Sequence, residues 1–512
     1  MRVLLYNWVD DRDPERRGGG VRLYQANLRD ALARQAGVEV VSLSSGLAHS
    51  VRRGAPRWRR VRGARAEARF EIVDSALLAP AHAHFASPAQ IDDASTLAAF
   101  ADFVAQHGPF DVIHFNGLEG IPATALAAAA ASGARVIVSL HNYYPFCAQV
   151  NLWAEEAQSC TDFDGGKRCL SCLPVRASPR TVRLAYAVEA AFHRVGLGPG
   201  TMAFDRAFRP LMALGWRMVK RAAALRRRGA VPPVASGRSA ALPAAHPSPQ
   251  SSPQSSPQSS PPRAPETARW HAARRARFVA LLNAHADAVL CVSDRVRQIA
   301  VAHGVDAARA RTSLIGTPEA AHWTRTRPRT ALLDGDGVLT LAYLGYMRRD
   351  KGYYFLLDAL ETLPRDLAAR VRLKVAACPR ESGDLARLRA LQGRLAGVVH
   401  HNGYRHAELD ALLEDVTLGV IPALWEDNLP QVAIEMHARH VPLMTSDRGG
   451  ARELGNCPEL VFAAGDAAAF HGVIAAVLAG RVHAGAYWRN AIAPVDMPAH
   501  LAELDRIYRG AT

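Results

Sequence analysis

No run of this 512-residue chain reads as a membrane span. The most apolar stretch, residues 121–140, is broken by Pro122, Gly133 and Arg135, whereas a helical crossing needs about 20 consecutive, mostly apolar residues. The start of the chain also lacks the charged and long apolar regions of a secretory signal, because an apolar strand pattern begins at once over residues 3–6. The expected location is the cytoplasm, with the inner face of a membrane as a surface to rest on. A G-x-G-x-x-G turn is missing too, which counts against a nicotinamide-dependent oxidoreductase. The hydrophobic fraction of 49% over 512 residues is that of a soluble protein with two or three well-filled domains.

Acidic residues are absent from one long stretch, Arg206 to Pro265, while the chain as a whole carries a formal charge of +15. Arg217, Lys220, Arg221, Arg226, Arg227 and Arg228 crowd there, and Phe208, Leu211, Met212, Val219, Ala222 and Leu225 recur at helical spacing. A basic amphipathic helix of this kind lies on an anionic bilayer. The alternative is a surface helix covering a core, with its arginines in water. Nucleic acid is the weaker partner, since aromatics do not interleave with the charges and no recognition motif appears.

Strand and helix patterns alternate along both halves. Strands are expected at residues 3–6, 38–43, 111–115, 135–140 and 288–293, with helices at 24–34, 96–107 and 268–286. A second alternation runs through strands at 339–344, 371–376, 398–400, 418–421 and 441–445. The fold class is therefore α/β, with two Rossmann-like, doubly wound parallel-sheet domains facing a cleft. Residues 1–320 form the first domain, interrupted by an insert at about 174–266. Its part from 229 to 266 holds three Pro-Gln-Ser-Ser units and is expected to be disordered, having too little apolar surface to offset ordering. Residues 321–495 form the second domain, and 496–512 read as a closing amphipathic helix.

In such sheets ligands bind beyond the C-terminal ends of the strands, so the residues following each strand carry the chemistry. The segment 425–453 is the richest. Asn428 is a good N-cap and Pro430 suits a first helical turn, placing Asp427 just before the helix and Glu435 about two turns in. Carboxylates accept from hydroxyls. Gly449-Gly450 then offers backbone N–H groups and a helix start to an anion. Hydroxyl acceptors beside phosphate donors suggest a ligand that is both sugar and phosphate. Gly345, Tyr346, Arg348, Arg349, Lys351 and Gly352 end a strand and open a helix, where a lysine neutralises a leaving diphosphate. Gly18, Gly19 and Gly20 let backbone approach a phosphate closely, or simply make a flexible turn. His114 and His141 each follow an apolar strand, with Asn116 and Glu119 close behind the first. Cys147, Cys160, Cys169 and Cys172 lie within one loop-like segment ending in C-x₂-C, which favours a structural Zn²⁺ site over disulfides in a cytosolic chain.

The segment around Asp427 and Glu435 resembles the C-terminal signature of the family 4 glycosyltransferases, in which two acids eight residues apart precede a helix, a strand and a Gly-Gly-x-x-Glu turn. The resemblance implies the two-domain GT-B fold, with the last helix crossing back to the first domain. It implies a nucleotide-diphosphate-sugar donor, a glycan or lipid-linked acceptor, retention of configuration and no catalytic metal or cofactor. By the same resemblance Lys351, Gly449 and Gly450 hold diphosphate, Glu435 the ribose and Asp427 the sugar hydroxyls. His141 lies beside the transferred sugar, Gly19 and Gly20 line the cleft, and Gly403 and Tyr404 flank the base. Glu426, Asn428 and Glu453 complete the donor side, and His114, Asn116 and Glu119 are assigned to the acceptor. Two departures stand out: Tyr346 occupies the family's arginine position, and the first acid is Asp427, with Glu426 its neighbour. They keep open a scaffold that binds nucleotide sugar or glycan without turning it over.

Overall fold

A computed structural model describes residues 1–511 apart from 62–66, 86, 174–177, 199–200, 380–382 and most of 209–263, where only 210, 211, 214, 215, 217 and 218 are covered. The segment expected to be disordered lies outside the described residues as far as 263, as does most of the basic run 206–228. From Ala264 the chain is helical to His285, so the helix that feeds the next strand starts earlier than its apolar pattern indicates.

The strands of the first lobe are β1 (Arg2–Asn7), β2 (Glu39–Ser45), β3 (Arg57–Arg60), β4 (Arg69–Val73), β5 (Val112–Phe115), β6 (Arg135–Leu140), β7 (Trp153–Ala154), β8 (Gln158–Ser159), β9 (Ala288–Cys291) and β10 (Ala310–Thr312). Eight of them make one sheet in the order β10-β9-β6-β5-β1-β2-β4-β3. All its pairs are parallel except β3 against β4. Apolar runs such as Val3, Leu4, Leu5 and Tyr6 are wholly buried, as parallel strands covered by helices on both faces require. The register places Val3 opposite Val112, and Ile113 opposite Val136. The short ribbon β7-β8 stands apart. Together with a helix over Lys167–Cys172 it gives the cysteine-bearing segment, read from sequence as a loop, a structure of its own.

The second sheet contains β11 (Leu339–Tyr346), β12 (Val371–Cys378), β13 (Gly397–His401), β14 (Leu418–Ile421), β15 (Leu443–Ser446) and β16 (Val461–Phe462), in the order β13-β12-β11-β14-β15-β16. All its pairs are parallel. The chain winds outward from β11 in one direction and from β14 in the other, so the switch point lies between those two strands, where a crevice opens past their C-terminal ends.

The closing helix, Met497–Tyr508, packs on the first sheet. Tyr508 Oη lies 2.7 Å from His114 Nδ1, and Arg135 Nε donates to the Ile507 carbonyl at 2.8 Å. Leu501, Leu504 and Ile507 on this helix are buried. Among the described residues no helix is long and apolar enough to cross a membrane. Leu504 is 0% exposed, so Leu504→Ala is expected to cost about 2–5 kcal/mol, read as a lowered unfolding temperature; an unchanged melting curve would mean the helix is not docked in solution.

Candidate functional site

A cavity of about 550 Å³ opens between the lobes at the switch point of the second sheet. Its first-lobe wall is the glycine loop and start of the helix Gly19–Leu32, together with Tyr24 and His141. Its second-lobe wall comes from the end of β11, from Lys351, from the segment after β14 and from the helix Gln431–Ala438.

Lys351 is held from two sides. Its Nζ donates to Asp427 Oδ2 at 2.6 Å and lies 5.0 Å from the centre of the Trp425 ring, a cation–π distance. The residue after it, Gly352, has φ +74°, and a Cβ there would fall 1.6 Å from the Pro422 carbonyl oxygen. Only glycine lets β11 turn into the next helix so tightly against the segment after β14. That close approach brings Lys351 to Asp427, although 76 residues separate them.

Glu435 accepts from Tyr404 Oη at 2.7 Å, and His406 Nε2 stands 3.1 Å from its other oxygen. Burial and then the Glu435 charge push the Tyr404 phenol up. The hydrogen bond to Glu435 raises His406 above the ordinary histidine value, against burial, which lowers it. His406 also lines the cavity and went unnoticed in the sequence, since a lone histidine after β13 carries no pattern of its own.

Asn428 differs from the expectation of a cap. Pro430 is extended, with φ −67° and ψ 130°, so the helix begins only at Gln431, too late for Asn428 to cap it. Both polar atoms of the buried Asn428 side chain lack a partner, and the residue lines the cavity. His141 Nε2 and Trp425 Nε1 lack partners as well, and both residues line the same cavity. His141 packs 4.7 Å from the Tyr24 ring, whose hydroxyl is 2.8 Å from His500 Nε2 on the closing helix. Burial, and then His500, push the His141 imidazole down to about 3, so it is neutral at physiological pH. Buried polar groups ordinarily find partners; three without any around one cavity mark a surface shaped for a polar ligand.

The Gly449-Gly450 turn does not form the expected anion site. Gly449 N–H donates to Glu426 Oε2 at 3.0 Å and Gly450 N–H to the Asp427 carbonyl at 3.0 Å. Only a single 3₁₀ turn, Ala451–Glu453, follows. The glycines serve packing: a Cβ on Gly449 would lie 1.9 Å from the Asp427 carbonyl oxygen. Glu426 and Glu453 also lie outside the cavity wall. Glu426 takes a bidentate bond from Arg295 of the first lobe at 2.9 and 2.7 Å, and Glu453 accepts the Asp294 and Arg295 N–H groups that open the helix Asp294–Ala302. Arg348 is tied to Asp350 at 2.8 and 2.6 Å, and neither it nor Arg349 reaches the cavity wall. Gly19, Gly20, Gly345, Tyr346, Gly403 and Tyr404 do line it.

The residues read as acceptor-side are committed elsewhere. His114 is fully buried between Tyr508 and Ser139 Oγ, each 2.7 Å from a ring nitrogen. Asn116 meets Gln25 at 3.3 Å. Glu119 is buried, pushed up to about 7 by that burial, and accepts from Ala81 N–H and Asn142 Nδ2. None of the three lines the cavity.

Cys147, Cys160, Cys169 and Cys172 are free thiols gathered around a separate cavity of about 30 Å³. Among the described residues the metal-type cluster with ligand atoms within 4.8 Å of one another is Glu15, Glu189 and His193.

The fold is GT-B: two doubly wound lobes with a cavity between them. Residues 338–479 match the family model of the group 1 glycosyl transferases. No curated protein matches the sequence significantly. In structure the chain is similar to HepE of Anabaena in complex with UDP, with 11% identity, 100% of each chain covered and a TM-score of 0.52. It is also similar to the N-terminal domain of trehalose-6-phosphate phosphatase of Candida albicans, with 10% identity, 100% and 97% coverage and a TM-score of 0.53. A third likeness is α,α-trehalose 6-phosphate synthase of Burkholderia multivorans, with 14% identity, 100% and 98% coverage and a TM-score of 0.50.

The raised His406 value carries a sign. A histidine raised by a carboxylate stabilises the fold below its unfolded value, and the gain is lost as pH rises through the folded one. The His406 imidazole should therefore titrate above 6.5 by NMR and drop toward it in Glu435→Gln; an equal midpoint in both proteins would show that the contact is not made in solution.

Proposed function

We propose that the protein moves a sugar from a nucleotide-diphosphate-sugar donor to a hydroxyl of a glycan or lipid-linked acceptor, with retention of configuration. The observation that carries this reading is the interlobe cavity at the switch point, where Lys351 and the unpartnered Asn428, His141 and Trp425 meet. The family match over the second lobe supports the same chemistry.

In the reaction the bond between the anomeric carbon and the diphosphate oxygen breaks. The acceptor oxygen bonds that carbon on the same face, and its proton passes to the departing diphosphate. A neutral His141 donates or accepts at a sugar hydroxyl without adding charge. Lys351 meets the negative charge that grows on the diphosphate, the term worth most in a water-poor site. Glu435, with Tyr404 and His406, takes the ribose hydroxyls, and Asp427 exchanges Lys351 for a sugar hydroxyl as the donor enters. A uridine diphosphate, the ligand in the HepE structure, is the first nucleotide to try. The acid-free basic run around 206–228 supports an acceptor at an anionic membrane. Equal recovery from anionic vesicles with and without that run would remove the membrane from this scheme.

The Lys351–Asp427 pair favours one competing reading, since a lysine already neutralised is what a binding scaffold would show. The two readings separate on turnover. With a panel of nucleotide sugars the protein is expected to transfer or hydrolyse at least one, and Lys351→Ala to lower kcat by about 100-fold or more. A donor that binds but never reacts would leave the scaffold standing.

A further inference from the structure

The charges on the cavity wall do not balance, and the imbalance lies on the first lobe. On the second lobe Lys351 is matched by Asp427, and Glu435 is engaged by Tyr404 and His406. Arg16 and Arg22, which border the glycine loop, also line the cavity, and among the described residues neither makes an ion pair. Arg22 donates through one terminal nitrogen to the Asp11 carbonyl at 2.9 Å, while its buried Nε has no partner. The nearby Asp11 carboxylate does not answer it, because Arg29 Nε holds that group at 2.7 Å. Arg16 is exposed and has φ +54°, a strained backbone for a residue with a side chain.

The helix behind these arginines adds the same sign. It runs 14 residues from Gly19, with no acidic residue in its first turn and no side-chain cap, so its opening N–H groups keep their partial positive charge. Gly18 makes the close turn that sets this up, since a Cβ there would meet Val9 at 2.6 Å. The second lobe offers little in exchange: Tyr346 stands where an arginine was expected, Arg348 is locked to Asp350, and the Gly449 and Gly450 N–H groups are taken.

We propose that Arg16 and Arg22 bind the donor's diphosphate, supplying from the first lobe the charge that the second lobe's Tyr346 position leaves out. The inference rests on the donor reading above and deepens it. Lys351 and the two arginines then grip the diphosphate from opposite lobes.

The test is calorimetric titration of the full chain with UDP, ADP and GDP, and with uridine as the uncharged control. Arg16→Ala and Arg22→Ala are each expected to weaken the best nucleoside diphosphate about tenfold, roughly 1.4 kcal/mol, and the double variant more. Uridine binding should not change, and Arg481→Ala, an exposed arginine outside the cavity lining, should behave as the parent. The salt dependence of diphosphate binding should flatten in the double variant. If Arg22→Ala unfolds, the exposed Arg16 and an Arg22→Gln variant, which removes the charge and keeps a polar side chain, still decide the matter. A parent that binds a diphosphate and a folded Arg16→Ala and Arg22→Gln pair with undiminished affinity and salt slope would overturn this inference while sparing the donor reading. A parent that binds none of the three diphosphates would overturn both.

Discussion

The bidentate bond between Arg295 and Glu426 is the contact on which the site depends. It joins the start of a first-lobe helix to the loop after β14, and the Gly449 N–H anchors the same carboxylate. Burial acts to raise Glu426, but these donors outweigh it and hold the group below the usual carboxylate range. An ion pair shut between two lobes in this way costs much to break from one side, because the remaining charge is left without water. Glu453 reinforces it by capping the Asp294 helix, and Ser293 Oγ donates to the Asn428 carbonyl at 2.9 Å. The loop carrying Trp425, Asp427 and Asn428 is thus pinned by its backbone and by Glu426. The side chains that face the cavity remain available for a ligand.

The cavity follows from topology as much as from residues. In the second sheet the winding reverses between β11 and β14, and the loops leaving those strands diverge above and below the sheet. Lys351 comes from one loop and Asp427 from the other, so their ion pair spans the crevice floor. The closing helix contributes from a distance: His500 holds Tyr24, and Tyr24 packs against His141. A cavity-lining histidine on the first lobe is thereby positioned by residues at the far end of the chain.

Much of the architecture was legible along the chain. β6 and β14 appear where their apolar runs place them, and the other expected strands shift by a few residues at their ends. β3, β4 and β10 escaped notice, because three of the four residues of Arg57–Arg60 are arginines and runs this short and charged give no clear apolar alternation. At the site, Lys351, Asp427 and His141 could be picked out because each lies in the segment after a strand, and Glu435 because it falls in the helix that follows Asp427. His114 lies within β5 and is sealed in the core, since what decides its role is the closing helix laid over it. Likewise Glu426 and Asp427 are neighbours, and alternation alone sends one toward the other lobe and the other toward the cavity.

The order of residues determined by itself that there are two α/β lobes, and that the chemistry gathers in loops after parallel strands. Hydrophobic period and strand-end position are local properties that a linear reading captures. Only the tertiary structure decided which glycine amides stay free, which carboxylate meets Lys351 and which arginines remain without a counter-charge. Those outcomes depend on distances between segments as far apart as Gly20 and Gln431, whose backbone and side chain meet at 2.9 Å. Electrostatic interaction varies with separation in space, and separation in sequence does not report it.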